Sequence, residues 1–445
     1  MYERYEIPIQ HAAAPKEAPS RFQVIRGEDC IHCGTCVSAC PYGVHLKREA
    51  DARLMANPED DLCVGCQRCV MECPVGVLDI GVHPEFRAIG DPYLRPRVVK
   101  RIWDEAETGR IPVSGAGYRG PFVQPGFDAI WTDMSEIVRP TRDGIHGREY
   151  ISTAVDLGRK PPFLTWDDGE AFPPLLEIPV PFLLNAPGPM GRGLEPVIAQ
   201  AAEELGTYVI LEAQAARRAG NGHVIPRLRA DEEVDLRLLE GARAVEVDDT
   251  GDGLSVYASI KEARPDLVAF LRMPLNEARR EAYADRIRAG VDVLHLYADP
   301  HGREVGPDEP RFLAPVLRDL DQYLVEEGLR DEVTVVVSGG VVASEHVPKA
   351  LLCGADAVAL DTTYLIALGW NGNPQTDLPS PLRAAWAVRR IRNWANACRD
   401  QLLEIMGAMG IRDARRMAGE IGRAMFHEDL EREFMALFEG GNGPG

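Results

Sequence analysis

Cysteine is the residue whose spacing most clearly indicates chemistry in this 445-residue chain, and eight of its ten cysteines lie between Cys30 and Cys73. They form two runs that share the pattern C-x2-C-x2-C-x3-C-P. The first run contains Cys30, Cys33, Cys36 and Cys40, and the second contains Cys63, Cys66, Cys69 and Cys73. Three thiolates on one tight loop can reach three corners of an iron–sulfur cubane, so the pattern predicts two [4Fe-4S] clusters.

The fourth ligand of each predicted cluster should come from the other run, because the C-x3-C stretch begins a helix that points away from its own loop. The predicted ligand sets are Cys30, Cys33, Cys36 and Cys73 for one cluster, and Cys63, Cys66, Cys69 and Cys40 for the other. Structural zinc is the alternative, but it usually takes two separated pairs of ligands. Clusters of this kind carry single electrons, so the rest of the chain should hold the group that uses them.

The composition excludes several classes of protein. Hydrophobic residues make up 45% of the chain and charged residues 27%, which is ordinary for a folded soluble protein. The formal charge of −20 disfavours binding to nucleic acid. The sequence contains no apolar run of 18 residues and no apolar core near its start, so neither a membrane span nor a signal peptide is expected. A cytoplasmic location is therefore predicted.

Strand and helix patterns alternate after Pro174, which predicts an α/β fold with a parallel sheet. Seven apolar runs are suited to buried strands: 180–184, 208–211, 244–247, 267–271, 291–296, 333–337 and 357–360. An eighth strand is expected near Val224 or at 255–260, which would complete a (β/α)8 barrel. The predicted domains are a ferredoxin-like domain (1–85), an extended linker that wraps the barrel (86–174), the barrel (175–378), and C-terminal helices with a flexible tail (379–445).

The ends of the last two predicted strands resemble a phosphate site. They read Ser338-Gly339-Gly340 and Asp361-Thr362, and barrels often bind phosphate after strands seven and eight. Together with two clusters, this predicts FMN, which converts single electrons into a hydride pair. A G-x-G-x-x-G sequence at 115–120 is not expected to bind a dinucleotide, because Pro121 and Pro125 prevent the helix that such a site needs.

Cysteines and large side chains outside these motifs are expected to be structural. Cys353 and Cys398 lie among apolar residues on predicted helices, which favours buried thiols.

Taken together, these motifs resemble the glutamate synthase family. The chain is similar to the FMN-binding domain of the large subunit, in the archaeal-type arrangement with an N-terminal ferredoxin module. The motifs that carry the resemblance are the two cysteine runs, 132–144, Asn185-Ala186-Pro187, Ser338-Gly339-Gly340, 365–369 and 396–410.

The resemblance implies an oxidoreductase in which reduced FMN delivers a hydride to the imine of 2-oxoglutarate and ammonia, giving glutamate or an N-substituted glutamate. Position 2 is Tyr2 rather than a nucleophilic cysteine, so ammonia would come from a separate glutamine amidotransferase-type subunit. Electrons would enter the clusters from a ferredoxin or an NAD(P)H-oxidising flavoprotein. The chain would then be one subunit of a hetero-oligomer. FMN contacts are implied for Asn185, Ala186, Pro187, Arg272, Ser338, Gly339, Gly340, Asp361 and Thr362.

The chain departs from the family pattern in three places. Residues 369–374 contain no cysteine where the family carries a three-iron cluster. Arg272 stands where the family has a lysine near the flavin. The family's Gly-His-Asp-Gly-Gly loop reads Tyr297 to Arg303 here, so Arg272, Asp299 and His301 are the predicted catalytic residues. The altered loop also supports an alternative, in which the chain is an electron-gating FMN and iron–sulfur subunit whose partner supplies the substrate site.

Overall fold

The computed structural model describes residues 5–14, 19–111, 126–132, 150–160, 173–186, 193–220, 222–231, 236–250, 252–379 and 382–439. The chain divides into two compact units. One consists of residues 14–100 and 369–376, and the other of residues 1–13, 101–368 and 377–445. Within the described ranges, no helix has the length and apolar character needed to cross a membrane.

The smaller unit contains both cysteine runs and is built around one antiparallel strand pair. Strand β1 (Phe22–Arg26) pairs with β2 (Leu78–Val82). Its short helices are α1 (Thr35–Ala39), α2 (Arg68–Met71) and α3 (Pro84–Arg87), with a 3-10 turn at Asp60–Leu62. The small core consists of Val24, Val44, Met55 and Leu78 with the buried cysteines Cys36 and Cys69. A core of this size gains little from apolar burial.

The larger unit is a closed barrel of eight parallel strands, as predicted. The strands are β6 (Phe182–Asn185), β7 (Val209–Glu212), β8 (Val224–Leu228), β9 (Ala244–Asp248), β10 (Val268–Pro274), β11 (Val293–Tyr297), β12 (Thr334–Ser338) and β13 (Ala357–Leu360). Each strand pairs with its neighbour in sequence, and β13 closes the barrel on β6. Helices cover the outside of the sheet, so the strands are buried on both faces and read as nearly continuous apolar runs.

Seven strands match the apolar runs read from the sequence, and the eighth is the one near Val224. The other candidate, 255–260, is wrong, because these residues belong to the helix Gly253–Ala263. Its buried residues Tyr257 and Ile260 are three apart, which is a helical spacing. The barrel helices are α5 (Glu195–Leu205), α6 (Ala213–Ala219), α7 (Gly253–Ala263), α8 (Arg280–Arg288), α9 (Leu313–Glu326), α10 (His346–Leu352) and α11 (Thr362–Ala367).

An antiparallel hairpin closes the N-terminal end of the barrel. It consists of β4 (Val155–Gly158) and β5 (Leu175–Ile178). The Gly158 amide donates to Thr334 Oγ1 at 3.1 Å, and that hydroxyl donates to the Gly158 carbonyl at 2.8 Å. Thr334 begins β12, so the hairpin covers the end of the barrel opposite the strand ends where barrel enzymes place their ligands.

The C-terminal region is helical, as expected, with α12 (Ala384–Met409) and α13 (His427–Glu439). Between them, β14 (Ala424–Phe426) pairs with β3 (Ile130–Thr132). Cys353 and Cys398 are buried, which confirms their structural interpretation. The sequence did not indicate the 13-residue helix α4 (Pro96–Thr108), which lies within the predicted extended linker. Most of 132–144 and all of 115–120 lie outside the described residues.

Candidate functional site

The eight clustered cysteines line two separate cavities, four to each cavity. Cys30, Cys33, Cys36 and Cys73 line one cavity of about 330 Å³, which we call the first cavity. Cys40, Cys63, Cys66 and Cys69 line another of about 280 Å³, the second cavity. Each cavity therefore takes three cysteines from one run and the fourth from the other. All eight thiols are free of disulfide bonds.

Left-handed backbone positions allow each loop to turn around its cavity. Gly34 (φ 86°) precedes α1, and Gln67 (φ 60°) occupies the same position before α2. Gln67 and His32 (φ 56°) are the non-glycine residues with positive φ among the described residues. A side chain in this conformation costs about 1 kcal/mol or more, and such residues are concentrated at functional sites.

The thiols of each cavity are crowded, and each opposes the ionisation of its neighbours. Burial raises the pKa of Cys36, and the neighbouring Cys30 raises it further. Burial likewise raises the pKa of Cys69, with an added contribution from Cys63. At the exposed Cys33, the Thr35 hydroxyl lowers the thiol pKa. Four thiolates cannot share one small cavity without positive charge, and iron ions supply that charge when they bind. The residues of both cavities therefore fit iron–sulfur clusters.

A chain of buried polar side chains crosses the inside of the barrel near its C-terminal end. Arg227 Nη2 donates to Asn185 Oδ1 at 2.7 Å, and Arg227 Nε donates to Glu246 Oε1 at 2.5 Å. Glu246 also contacts His295 Nδ1, and His295 Nε2 lies 2.9 Å from Ser338 Oγ. Five strands thus contribute one side chain each, and all five side chains are buried.

The electrostatics of this chain follow from its burial. Burial alone raises the pKa of the Glu246 carboxyl, but the Arg227 guanidinium and His295 more than offset it, so the pKa lies well below the usual range. The carboxylate in turn raises the pKa of Arg227 against the effect of burial. Glu246 is therefore ionised. Its buried charge is tolerated because Arg227 and His295 both form hydrogen bonds with the carboxylate.

The sequence search did not single out Arg227, Glu246 or His295. A signal was present, because each is an ionisable residue in the middle of an otherwise apolar strand run. Such residues are almost never fully buried unless they are paired.

Arg272 lies beside this chain, on β10, with one donor left unsatisfied. Its Nη1 donates to Asp248 Oδ1 at 2.8 Å, and its guanidinium carbon lies 3.8 Å from the centre of the Tyr297 ring. Its Nε is buried and has no hydrogen-bond partner among the described residues. A planar cation with an orphaned donor fits a flat ligand that carries carbonyl or ring-nitrogen acceptors, as a flavin does.

Gly339 and Gly340 are held in the left-handed region by a close backbone contact. Their φ values are 89° and 69°. A Cβ on Gly339 would lie 2.5 Å from the Asp299 carbonyl oxygen, and one on Gly340 would lie 2.3 Å from Gly302 Cα. The two glycines therefore let the loop after β11 pack directly on the end of β12.

The predicted catalytic residues of that loop differ in their surroundings. Asp299 Oδ1 accepts from the amides of His301 at 2.9 Å and Arg303 at 2.8 Å, so this carboxylate shapes its own loop. The side chains of His301 and Arg303 are exposed.

The remaining predicted flavin contacts lie at the ends of β6 and β13. The Ala186 amide donates to the Ile210 carbonyl at 3.1 Å, while Pro187 lies outside the described residues. Asp361 caps α11 by accepting from the Thr362 amide at 2.6 Å, and burial raises the pKa of its carboxyl.

Two regions of the chain match known protein families. Residues 23–80 match the 4Fe-4S dicluster domain family, and residues 312–372 match a conserved region in glutamate synthase. The archaeal-type glutamate synthase [NADPH] of Thermotoga sp. (strain RQ2) is 25% identical over 95% of this chain and 98% of its own length. The archaeal glutamate synthase [NADPH] of Archaeoglobus fulgidus is 25% identical over 94% of this chain and 96% of its own.

Among solved structures, the flavin-binding domain of baker's yeast flavocytochrome b2 is similar with a TM-score of 0.46 and 15% identity. The match covers 81% of this chain and 87% of that domain.

The fold and the cysteine cavities define an oxidoreductase that combines an iron–sulfur unit with a (β/α)8 barrel. Over most of its length the chain is similar to archaeal-type glutamate synthases, which supports its placement with the glutamate synthase family.

Proposed function

We propose that this chain passes electrons from two [4Fe-4S] clusters to an FMN at the C-terminal end of its barrel, for the reductive amination of 2-oxoglutarate. The product is glutamate, or an N-substituted glutamate when an amine replaces ammonia. The observation that carries the proposal is the pair of four-cysteine cavities on the same chain as a barrel with an orphaned cationic donor.

In this proposal, the first cavity binds one cluster through Cys30, Cys33, Cys36 and Cys73. The second binds the other cluster through Cys40, Cys63, Cys66 and Cys69. The clusters supply one electron at a time when they are bound. Apolar side chains line both cavities beside the cysteines, while Cys33 and Cys66 are exposed to solvent.

FMN, when bound, supplies hydride transfer. The barrel residues proposed to hold it are Asn185, Ala186, Pro187, Ser338, Gly339, Gly340, Asp361 and Thr362. The Arg272 guanidinium would supply positive charge to the bound ligand, and it is fixed in place by Asp248 and by stacking on Tyr297. The buried chain behind Ser338 gives that hydroxyl a hydrogen-bond partner before the ligand binds, which would pre-organise this contact.

The loop after β11 is proposed to face the 2-oxo acid. Asp299 positions the loop through its two amide contacts, and His301, whose side chain is exposed, is proposed to exchange a proton with the substrate. The ammonia donor is proposed to be a separate glutamine amidotransferase-type subunit. The electron donor is a ferredoxin or an NAD(P)H-oxidising flavoprotein.

A second function is favoured by one feature of the barrel mouth. Arg227 on β8 and Arg272 on β10 are both already paired, Arg227 with Glu246 and Arg272 with Asp248. A dicarboxylate therefore meets little uncompensated positive charge there. This favours an electron-gating subunit whose partner supplies the substrate site.

An anaerobic reoxidation experiment separates the two functions. Purified protein is reduced with dithionite, excess reductant is removed, and 2-oxoglutarate with ammonium is added while flavin absorbance and glutamate are followed. Reoxidation with matching glutamate supports the synthase. Reduced protein that is reoxidised by ferredoxin but not by 2-oxoglutarate with ammonium supports the electron gate.

A pair of histidine variants tests the loop in the same assay. His301→Ala should slow reoxidation by about 100-fold if His301 transfers the proton. The matched control is His11→Ala. The His11 side chain is 67% exposed, and among the described residues its ion pair is with Glu107.

A further inference from the structure

His45 is a buried histidine that lines the second cavity together with its four cysteines. His45 is only 2% exposed. Neither Nδ1 nor Nε2 has a hydrogen-bond partner among the residues that the structure describes. A buried polar group without a partner costs about 1–3 kcal/mol, so this ring is placed for a ligand that occupies the cavity.

The backbone on both sides of His45 is fixed. The Val44 carbonyl accepts from the Glu59 amide at 2.9 Å, and the Leu46 carbonyl accepts from the Ala56 amide at 2.8 Å. Val44 is also part of the unit's apolar core. The position of the His45 backbone beside the second cavity is therefore fixed.

The His45 ring carries an N–H donor in either protonation state. A neutral imidazole has one donor nitrogen and one acceptor nitrogen, and the protonated ring has two donors.

The first cavity has a different polar environment. Its described lining contains no histidine, and its one charged side chain, Arg26, donates to the Ala56 carbonyl at 2.7 Å. His32 lies beside the first cavity, with Nδ1 4.0 Å from Cys30 Sγ, but that nitrogen accepts from the Met55 amide at 3.1 Å and so does not donate to sulfur. Each lining also contains one arginine, Arg26 or Arg68, so the buried histidine with two unpartnered ring nitrogens is a feature of the second cavity.

We propose that His45 donates a ring N–H hydrogen bond to the sulfur of the cluster in the second cavity and thereby raises the reduction potential of that cluster. The inference rests on the proposed function, since it requires that both cavities hold clusters. Reduction adds negative charge to the cluster, and a hydrogen bond to sulfur stabilises the more negative state. His45 is thus a tuning residue that makes the two clusters unequal.

The test is a potentiometric titration of the full-length holoprotein followed by EPR. His45→Phe keeps an aromatic ring but removes both nitrogens, and His45→Gln restores an N–H donor. The control is His83→Phe, a histidine of the same unit that lines neither cavity. We expect His45→Phe to lower the reduction potential of one cluster by about 59 mV. For a one-electron step, this shift is a tenfold change in the equilibrium constant. His45→Gln should recover most of the shift, and His83→Phe should show none.

Several outcomes would overturn the inference. Wild-type protein with both clusters, in which His45→Phe moves neither potential or both equally, contradicts it. If His45→Phe fails to assemble a cluster, the proposed hydrogen bond is tested instead by pulsed EPR of wild-type protein labelled with 15N-histidine. A ring-nitrogen coupling that is lost in His45→Gln supports the inference, and no coupling in the wild type rejects it. Wild-type protein without two clusters instead refutes the proposed function.

Discussion

His295 Nε2 lies 2.9 Å from Ser338 Oγ, while Nδ1 of the same ring faces the Glu246 carboxylate. Because that carboxylate is ionised, Nδ1 carries a proton in this hydrogen-bond network. When the ring is neutral, Nε2 accepts from Ser338, and the lone pairs of the hydroxyl remain available at the barrel end. His295, 43 positions earlier in the chain, thus fixes the donor and acceptor roles of Ser338, a predicted flavin contact.

The first prediction concerns Glu246. Glu246→Ala should destabilise the barrel by about 3–5 kcal/mol, because it leaves the Arg227 guanidinium buried without its main partner. Thermal unfolding of the full chain, followed by far-UV circular dichroism, measures the change. Glu212→Ala is the control, since Glu212 is a second partner of Arg227 at 3.3 Å but its side chain is 51% exposed. It should cost less than about 1 kcal/mol. Equal losses of stability in the two variants would show that the buried Arg227–Glu246 pair contributes no more than the exposed Arg227–Glu212 contact.

The second prediction concerns the exchange of cysteines between the two runs. Cys40→Ser should remove the same EPR signal as Cys66→Ser, although Cys40 belongs to the first run. Cys73→Ser should match Cys33→Ser. Each variant should lower the iron content from about eight to about four atoms per chain. Cys353→Ala is the control, because burial raises the pKa of that thiol to about 12 and it lines neither cavity. A match between Cys40→Ser and Cys33→Ser would reject the exchanged ligation.

The third prediction concerns Gly340. Gly340→Ala should release flavin, because the new methyl group would displace the loop at Gly302. Flavin content after acid extraction and iron content are the two measurements, and iron should not change. Gly328→Ala is a matched control, since Gly328 has nearly the same φ, 68°, and no atom within 4 Å of an added Cβ. It should cost about 1–2 kcal/mol and retain flavin. Full flavin occupancy in Gly340→Ala would remove this residue from the cofactor site.

The fourth prediction concerns pH. Glu105 is a buried carboxyl whose pKa is raised from 4.5 to about 7, first by burial and then by Glu345, while Arg101 opposes the shift. A raised pKa means that the folded state binds the proton more tightly than the unfolded state. This contribution is complete below about pH 4.5 and is lost as the pH rises through 7, with a total of roughly 3 kcal/mol.

Glu105→Gln imitates the protonated carboxyl and isolates this effect. The variant should match the wild-type melting temperature near pH 5 and exceed it at pH 8. Ser344 Oγ can still donate to the amide oxygen as it does to Glu105 at 3.1 Å, so the local hydrogen bond is retained. A difference between the two proteins that does not change from pH 5 to pH 8 would contradict the assignment.

Local patterns in the sequence were sufficient to predict the cysteine cavities and seven strands. The thiols that share a loop are three residues apart, and a strand buried on both faces is a short apolar run wherever it occurs. The grouping of Cys40 with the second run also followed from a local rule about helix direction.

The buried chain in the barrel could not be derived in this way. Glu246 and His295 are 49 residues apart, and only closure of the barrel brings them together. Helix α4, in contrast, could have been predicted from a local pattern, because its buried residues Val99, Ile102 and Ala106 have helical spacing. The surrounding glycines and prolines concealed that pattern.

Residues 369–376 belong to the cysteine unit although they follow the last strand of the barrel. There, the Asn371 carbonyl accepts from the Gly90 amide at 2.8 Å, and the Gly372 backbone lies against Val99. The ribosome completes the barrel before it makes this segment. The cysteine unit therefore cannot reach its final form as an early, independent product of translation, and a fragment that ends after the second cysteine run would lack one of its pieces.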